Sequence, residues 1–266
     1  MSNSSSDKIS TLFAGIVIPL TIIISFLLYF FVLGSPLNFK EGDLENHPDN
    51  YLGIVYKGGI IVPVLMSFFL MVITFSIERF ITITRAFGNG SLNSFLKEVK
   101  ADLDSNNIQG GIERCARHKG SVGNVVQAAL QKYQKLFKEP KLSKDQKVLG
   151  VQKEVEEATS LELPILEKNL TIIATLASVA TLIGLLGTVI GMIKAFAALA
   201  TAGAPDAIAL ANGISEALIN TALGIATSAL AIISYNYFTS KIDTLTYSID
   251  EIGFSITQSF SASYQE

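Results

Sequence analysis

Apolar residues in this chain fall into four long blocks separated by polar ones. The first runs from about Leu12 to Leu33 and carries no charge. The second runs from Gly58 to Ile77 and stops at Glu78-Arg79. The third, from about Leu170 to Ala200, is interrupted only by Lys194, and the fourth, from about Ile208 to Phe238, only by Glu216. Each reaches the about 20 residues that let a helix cross roughly 30 Å of hydrocarbon. Backbone groups in lipid must bond within their own segment unless a barrel closes, and the pattern holds none of the short alternating strands of a barrel. It therefore predicts an all-α integral membrane protein with four membrane helices.

The polar segments give the orientation. Most of the 20 Lys and Arg residues lie between the second and third blocks, from Arg79 to Lys168. Basic loops stay in the cytoplasm. The loop after the first block is acidic (Glu41, Asp43, Glu45, Asp49) and reads as periplasmic; Thr201–Asp206, with Gly203 and Pro205, reads as a tight hairpin turn. Both termini are then cytoplasmic. The expected divisions are an N-terminal membrane helix (1–34), a periplasmic loop (35–57), a membrane helix (58–78), a cytoplasmic helical region (79–169), a membrane hairpin (170–238) and a cytoplasmic tail (239–266). The first block is too long for a signal peptide and no A-x-A-like site follows. It reads as an anchor, with a tilted or interfacial helix as the alternative and Pro19 as a candidate kink. In the cytoplasmic region, Ser94–Leu103 and Val122–Phe137 have apolar residues three and four apart, as amphipathic helices do. Asn106, Gly110 and Gly111 break the first. A third helix, Lys144–Glu162, runs on into the membrane span with a kink expected at Pro164, so long helices extend into the cytoplasm.

Composition agrees. Charged residues are 16% and apolar residues 49%, with a mean hydropathy of +0.44; soluble domains carry about a quarter charged residues. A net charge of −3 gives no reason to expect nucleic acid as a partner. The lone Cys115 cannot form an internal disulfide. His47 and His118 lie in separate polar segments, whereas a zinc site needs three or four converging ligands, so no metal or cofactor is expected. No Walker loop and no nucleophile–base arrangement is visible, and the chain does not read as an enzyme.

The chemistry concentrates in the last two blocks. A carboxylate near mid-bilayer costs roughly 2.5–3.5 kcal/mol, so Glu216 needs a reason. Asn212, Glu216 and Asn220 follow at four-residue spacing, with Thr227 and Ser234 beyond and Thr221 and Ser228 beside them. A polar stripe in a membrane helix faces protein or water. Glu216 is either a proton or ion site or a structural glutamate held by a neighbouring helix. The third block carries a seam of small residues, Ala177, Thr181, Gly184, Thr188, Gly191 and Ala195, with Gly187 beside it. Such residues let helix backbones approach closely. Lys194 either snorkels to the periplasmic interface or pairs with a carboxylate on a partner or with Glu216 of a neighbouring copy. Counting outward from a turn near Ala202 predicts Thr188 and Glu216 at one depth, with Thr221 about 7.5 Å nearer the cytoplasm. All three are expected to face a central lumen.

Gly184-Leu185-Leu186-Gly187-Thr188-Val189-Ile190-Gly191-Met192 resembles the GLLGTVxGM signature of the ExbB/TolQ family. Ile214 to Gly224, followed by Tyr235-Asn236, resembles that family's IAEALxxTAxGL…YN helix, and Ile77-Glu78-Arg79-Phe80 the end of its first helix. The resemblance covers roughly Tyr56 to Tyr237, with ExbB as the first reading and MotA more distant. It implies a homo-oligomer, a pentameric ring in the bacterial inner membrane enclosing two helices of an ExbD/TolR-like partner. It also implies use of the proton-motive force, through a TonB-like or TolA-like protein, to drive an outer-membrane process. By position, Thr188, Glu216 and Thr221 correspond to the family's pore lining. Thr181, Lys194, Asn212 and Asn220 are further candidates for the lining or for partner contacts. Gly184, Gly187, Gly191 and Gly224 are candidates for helix packing. The chain departs from the pattern where Thr181 and Leu230 stand in place of prolines, and where the first span adds to the family's three.

Overall fold

The computed structural model describes residues 3–42, 44, 48–200 and 206–263. The turn at 201–205, and Asp43, Glu45, His47 and the side chain of Glu41 in the acidic loop, lie outside the described residues. The chain is helical: α1 (Asn3–Leu27), α2 (Tyr51–Tyr56), α3 (Ile61–Ala86), α4 (Leu92–Asp104), α5 (Ile108–His118), α6 (Gly120–Phe137), α7 (Lys144–Glu167), α8 (Leu170–Leu199) and α9 (Ala207–Ser263). Among the described residues four stretches are long and apolar enough to cross a membrane, and the chain is a membrane protein. It divides into two compact units, Met1–Ile77 with Asn169–Tyr235, and Glu78–Lys168 with Asn236–Glu266.

In the first unit, α1 contains Pro19 and continues into a π-helical segment, Leu28–Leu33. Phe13 meets Phe75 of α3 edge-on, with ring centroids 6.1 Å apart. Tyr29 stacks on Tyr56 at 4.7 Å and donates its hydroxyl to the Tyr56 carbonyl at 3.1 Å. Tyr29, Leu33 and Val62 form a buried cluster against which Ile219 and Leu223 of α9 pack. The added span is thus fastened to α3 and α9 of its own chain. Its other face, Ile16, Leu20, Ile23, Leu27 and Phe31, stays exposed at three- and four-residue spacing, as a lipid-facing stripe does. The Asn38 amide donates to the carbonyls of Val32 (2.7 Å) and Leu33 (2.9 Å), which have no amide of their own helix ahead of them.

The apolar pattern predicts a second span from Gly58. The helix instead begins at Ile61, and residues 57–60 form a turn in which Gly59 has φ +75°. Pro63 falls in the first turn of α3, where its missing amide has no intrahelical acceptor to lose.

In the second unit, α5 was not anticipated. Gly110 and Gly111 lie within it, although each glycine costs a helix about 1 kcal/mol relative to alanine. The break falls earlier, at Asn106 in the left-handed region (φ 54°), and Asn107 caps the new helix by accepting from the Gly110 amide at 3.1 Å. A Cβ on Gly111 would lie 3.0 Å from Leu130 of α6, so its bareness lets the two helices close. Cys115 is buried, and burial pushes its thiol up to about 12, which keeps it from reacting as a thiolate. His118 is buried and stacks on Phe95 at 3.9 Å.

The segment expected as a tail, 239–266, is helical to Ser263 as part of the 57-residue α9. Phe238, Ile242, Leu245, Ile249, Ile252, Ile256 and Phe260 are all buried. Phe260 meets Tyr133 of α6 edge-on at 4.5 Å, and Gly253 admits Val155 of α7.

The long helix also breaks away from Pro164. Proline sits inside α7, and the interruption comes at Lys168–Asn169, where Asn169 adopts φ 65°. Asparagine tolerates that conformation better than most residues. Arg79 meets the end of α7: its guanidinium donates to Ile165 O and Leu166 O, both at 3.1 Å, and pairs with Glu78. Arg79 is 2% exposed. Arg79→Met should therefore destabilise the fold by about 3 kcal/mol, because a buried network loses one partner. Thermal unfolding followed by circular dichroism in detergent is the check, and an unchanged melting temperature would refute this role.

Candidate functional site in the membrane hairpin

The site is built where α8 meets α9. Gly184 lies against Gly224 and the Asn220 carbonyl, Gly187 against the Asn220 side chain, and Gly191 against Gly213 and Ala217. A Cβ on Gly191 would stand 2.6 Å from the Ala217 nitrogen and 2.7 Å from the Gly213 oxygen. Gly224 in turn lies against the Ala180 carbonyl. The four glycines keep the two backbones in contact along the hairpin.

Close backbones bring two polar pairs together. The hydroxyls of Thr188 and Thr221 are in hydrogen-bond contact. One arrangement uses both protons: Thr188 donates to Thr221, and Thr221 donates to the Ala217 carbonyl at 3.1 Å. Nearer the hairpin turn, Lys194 Nζ lies 2.7 Å from Oε1 and 2.8 Å from Oε2 of Glu216. The lysine thus pairs with the glutamate of its own chain, which neither snorkelling nor pairing with a neighbouring copy anticipates. Its side chain is 55% exposed and that of Glu216 is 7% exposed, so the pair has one open end and one enclosed end.

The expected common depth of Thr188 and Glu216 is not what forms; Thr188 is level with Thr221. Side chains on a helix tilt toward its N-terminus. In an antiparallel pair they tilt toward each other from residues set further apart along the axis. Thr188 therefore meets Thr221, and Lys194 meets Glu216, rather than the residues found by counting evenly from the turn.

Glu216 is turned into its own subunit. A Cβ on Gly59 would come within 2.6 Å of Glu216 Oε1, so the positive-φ glycine leaves room for the carboxylate. Asn220, fully buried, donates through Nδ2 to the Gly58 carbonyl at 2.8 Å, while its Oδ1 is buried with no donor. Farther along the stripe Thr227 and Ser228 are buried, and Ser228 donates to the Ala177 carbonyl of α8. Thr181 and Asn212 are half-buried. Gly58 and Gly59 belong to the site, and the sequence reading missed them. Their signal was the glycine doublet at the mouth of an apolar block. Among the described residues, no group of three or more His, Cys, Asp or Glu converges as metal ligands would.

Comparison with known proteins gives consistent names. Over 124 residues the chain is 34% identical to the Tol-Pal system protein TolQ of Pseudomonas aeruginosa, covering 47% of this chain and 54% of that one. It is 27% identical over 202 residues to TolQ of Haemophilus influenzae, covering 74% and 87%. It is 42% identical over 80 residues to the biopolymer transport protein ExbB of Helicobacter pylori, covering 30% and 55%. The matches to the Pseudomonas and Helicobacter proteins thus span about half the length of those relatives. The sequence model of one family matches residues 118–251, half of the chain and most of the hairpin that holds both polar pairs. The chain belongs to the MotA/TolQ/ExbB proton channel family.

Proposed function

We propose that the chain is the ring-forming stator subunit of a proton-driven motor in the bacterial inner membrane. With an ExbD/TolR-like partner it would convert proton-motive force into mechanical work for TonB-dependent outer-membrane transport. The observation that carries this reading is the Lys194–Glu216 ion pair, set within the membrane hairpin beside the Thr188–Thr221 hydroxyl pair.

The geometry is compatible with the following steps. Lys194 is exposed on one side and holds Glu216 on the other. An ionised carboxylate on a partner helix in the lumen can compete for that ammonium. Glu216 then exchanges its ion pair for a proton. Thr188, Thr221 and the free Oδ1 of Asn220 offer the next hydrogen-bonding positions toward the cytoplasm. Each proton crossing about 100 mV releases about 2.3 kcal/mol from the potential alone, so a few transfers can drive a conformational cycle.

The test is proton flux into vesicles holding the chain with its partner. Thr188→Val and Thr221→Val keep volume and remove a hydroxyl. Flux should fall about tenfold in each, matching about 1.4 kcal/mol of barrier from one lost hydrogen bond. Full flux in both would take the hydroxyl pair out of the path and favour a non-conducting scaffold.

The ring itself is supported by apolar side chains left exposed on the hairpin, among them Leu182, Leu186, Val189, Ile193 and Ile225. Native mass spectrometry in mild detergent should give a closed homo-oligomer, a pentamer by the resemblance. A stable monomer would contradict it.

A TolQ-like role in envelope maintenance, or in motility, is the second reading, supported by the longer matched stretch to TolQ of Haemophilus influenzae. Loss of the gene should then cause detergent sensitivity rather than poor growth on chelated iron.

A further inference from the structure

We propose that the groove between the cytoplasmic ends of α3 and α9 is a binding site for one anionic phospholipid per subunit. An acyl chain lies along its aromatic wall and the phosphate sits at Lys241.

The groove encloses about 220 Å³, and Phe80, Phe87, Tyr237 and Phe238 form its apolar wall, with Thr84 and Lys241 at the margin. Its place along the helices is fixed by the sequence. Phe80 stands one turn beyond Ile77, the last apolar residue of the second block, and Phe238 closes the fourth block. By the distribution of Lys and Arg, this end faces the cytoplasm. The wall therefore lies where acyl chains meet headgroups, in the leaflet whose surface is negative.

The wall is open: Phe80 is 53% and Tyr237 47% exposed. Lys241 Nζ is held over two rings, 5.9 Å from the Phe87 centroid and 5.7 Å from that of Tyr237. Among the described residues no carboxylate pairs with it, and two aromatic faces fix a cation without neutralising it. A slot of aromatic carbon with a held positive charge at its mouth matches one molecule in chemistry and depth. That molecule is a phospholipid with a net negative headgroup. A neighbouring copy of this chain would also cover the apolar wall, but nothing about the ammonium requires it.

The chain has no tryptophan, so Phe80→Trp introduces a single fluorophore at the wall with little change in shape. The oligomer carrying it is reconstituted in phosphatidylcholine vesicles. A small, equal fraction of brominated phosphatidylglycerol or brominated phosphatidylcholine is then included. Phosphatidylglycerol is expected to quench with about fivefold higher apparent affinity, the effect of one basic residue at an anionic surface. Adding Lys241→Glu should erase the preference, and Lys241→Arg should keep it. Equal quenching by both lipids would reduce the groove to ordinary lipid contact. No quenching by either would mean that a neighbouring subunit fills it. Either result overturns the proposal, and neither bears on proton flux through the hairpin.

Discussion

Glu216→Gln is expected to leave the proposed ring assembled and to lower proton-coupled flux by about a hundredfold, the low end of what a positioned proton-transfer group contributes. Glutamine keeps the volume against Gly59 and can still accept from Lys194, but it cannot gain and lose a proton. The freed ammonium is not enclosed by its own chain, because the lysine side chain is 55% exposed. Lys194→Met is the harsher change for folding. It leaves a carboxylate that is 7% exposed without its cation, and an isolated buried charge is costly. Melting temperatures should therefore fall more for Lys194→Met than for Glu216→Gln, and the double variant should recover stability without recovering flux. The measurements are oligomer melting temperature and acid-driven flux in the same vesicles. Wild-type flux in Glu216→Gln would remove the carboxylate from the mechanism. Equal melting losses in the two single variants would contradict the asymmetric burial.

Gly191→Ala is the second large effect. The new Cβ would meet three backbone atoms of Gly213 and Ala217 at 2.6–2.9 Å, and none of them belongs to a flexible side chain. The helices must separate, at about 1–3 kcal/mol for overpacking of this kind. Separation would also pull Thr188 from Thr221 and Lys194 from Glu216, so flux should fail together with stability. Gly15→Ala is the matched control. It lies in α1 with nothing within 4 Å of the new Cβ, and it should stabilise by up to about 1 kcal/mol because alanine favours helix. Gly191→Ala protein that melts and conducts like the wild type would show that α8 and α9 do not pack along this seam.

The first span bears on how the chain would sit in the proposed ring. Tyr29 and Leu33 pack on Val62, with Ile219 and Leu223 of α9 against them. A helix added to a three-span plan is thereby anchored to the base of the site, one turn from Glu216 in the case of Ile219. It leaves a stripe from Ile16 to Phe31 for lipid.

What the sequence decided by itself follows from the bilayer as solvent. Four apolar blocks and two lone charges in otherwise apolar segments leave few ways to satisfy backbone and side chains, so the helices and Glu216 as the residue to explain were legible. The family motifs lie on the same helices. The helical stretch after Phe238 was legible too, since Ile242, Leu245, Ile249, Ile252 and Ile256 repeat at three- and four-residue spacing. Its polar positions between these residues set it apart from the apolar block that ends at Phe238.

Other features depended on contacts between segments distant in the chain. The pairing of Lys194 with Glu216 and of Thr188 with Thr221 depends on the opposed tilt of side chains in an antiparallel pair, which a count of residues from the turn does not contain. Gly59 matters because residues far along the chain place a carboxylate against it. The helix break at Asn169, rather than at Pro164, goes with Arg79 reaching the last carbonyls of α7 from α3, a contact across 86 residues of sequence. Local pattern fixes which segments are helices and which faces are apolar. Which polar group meets which is decided by backbone approach, and here glycines with no side chain to hold the helices apart permit that approach.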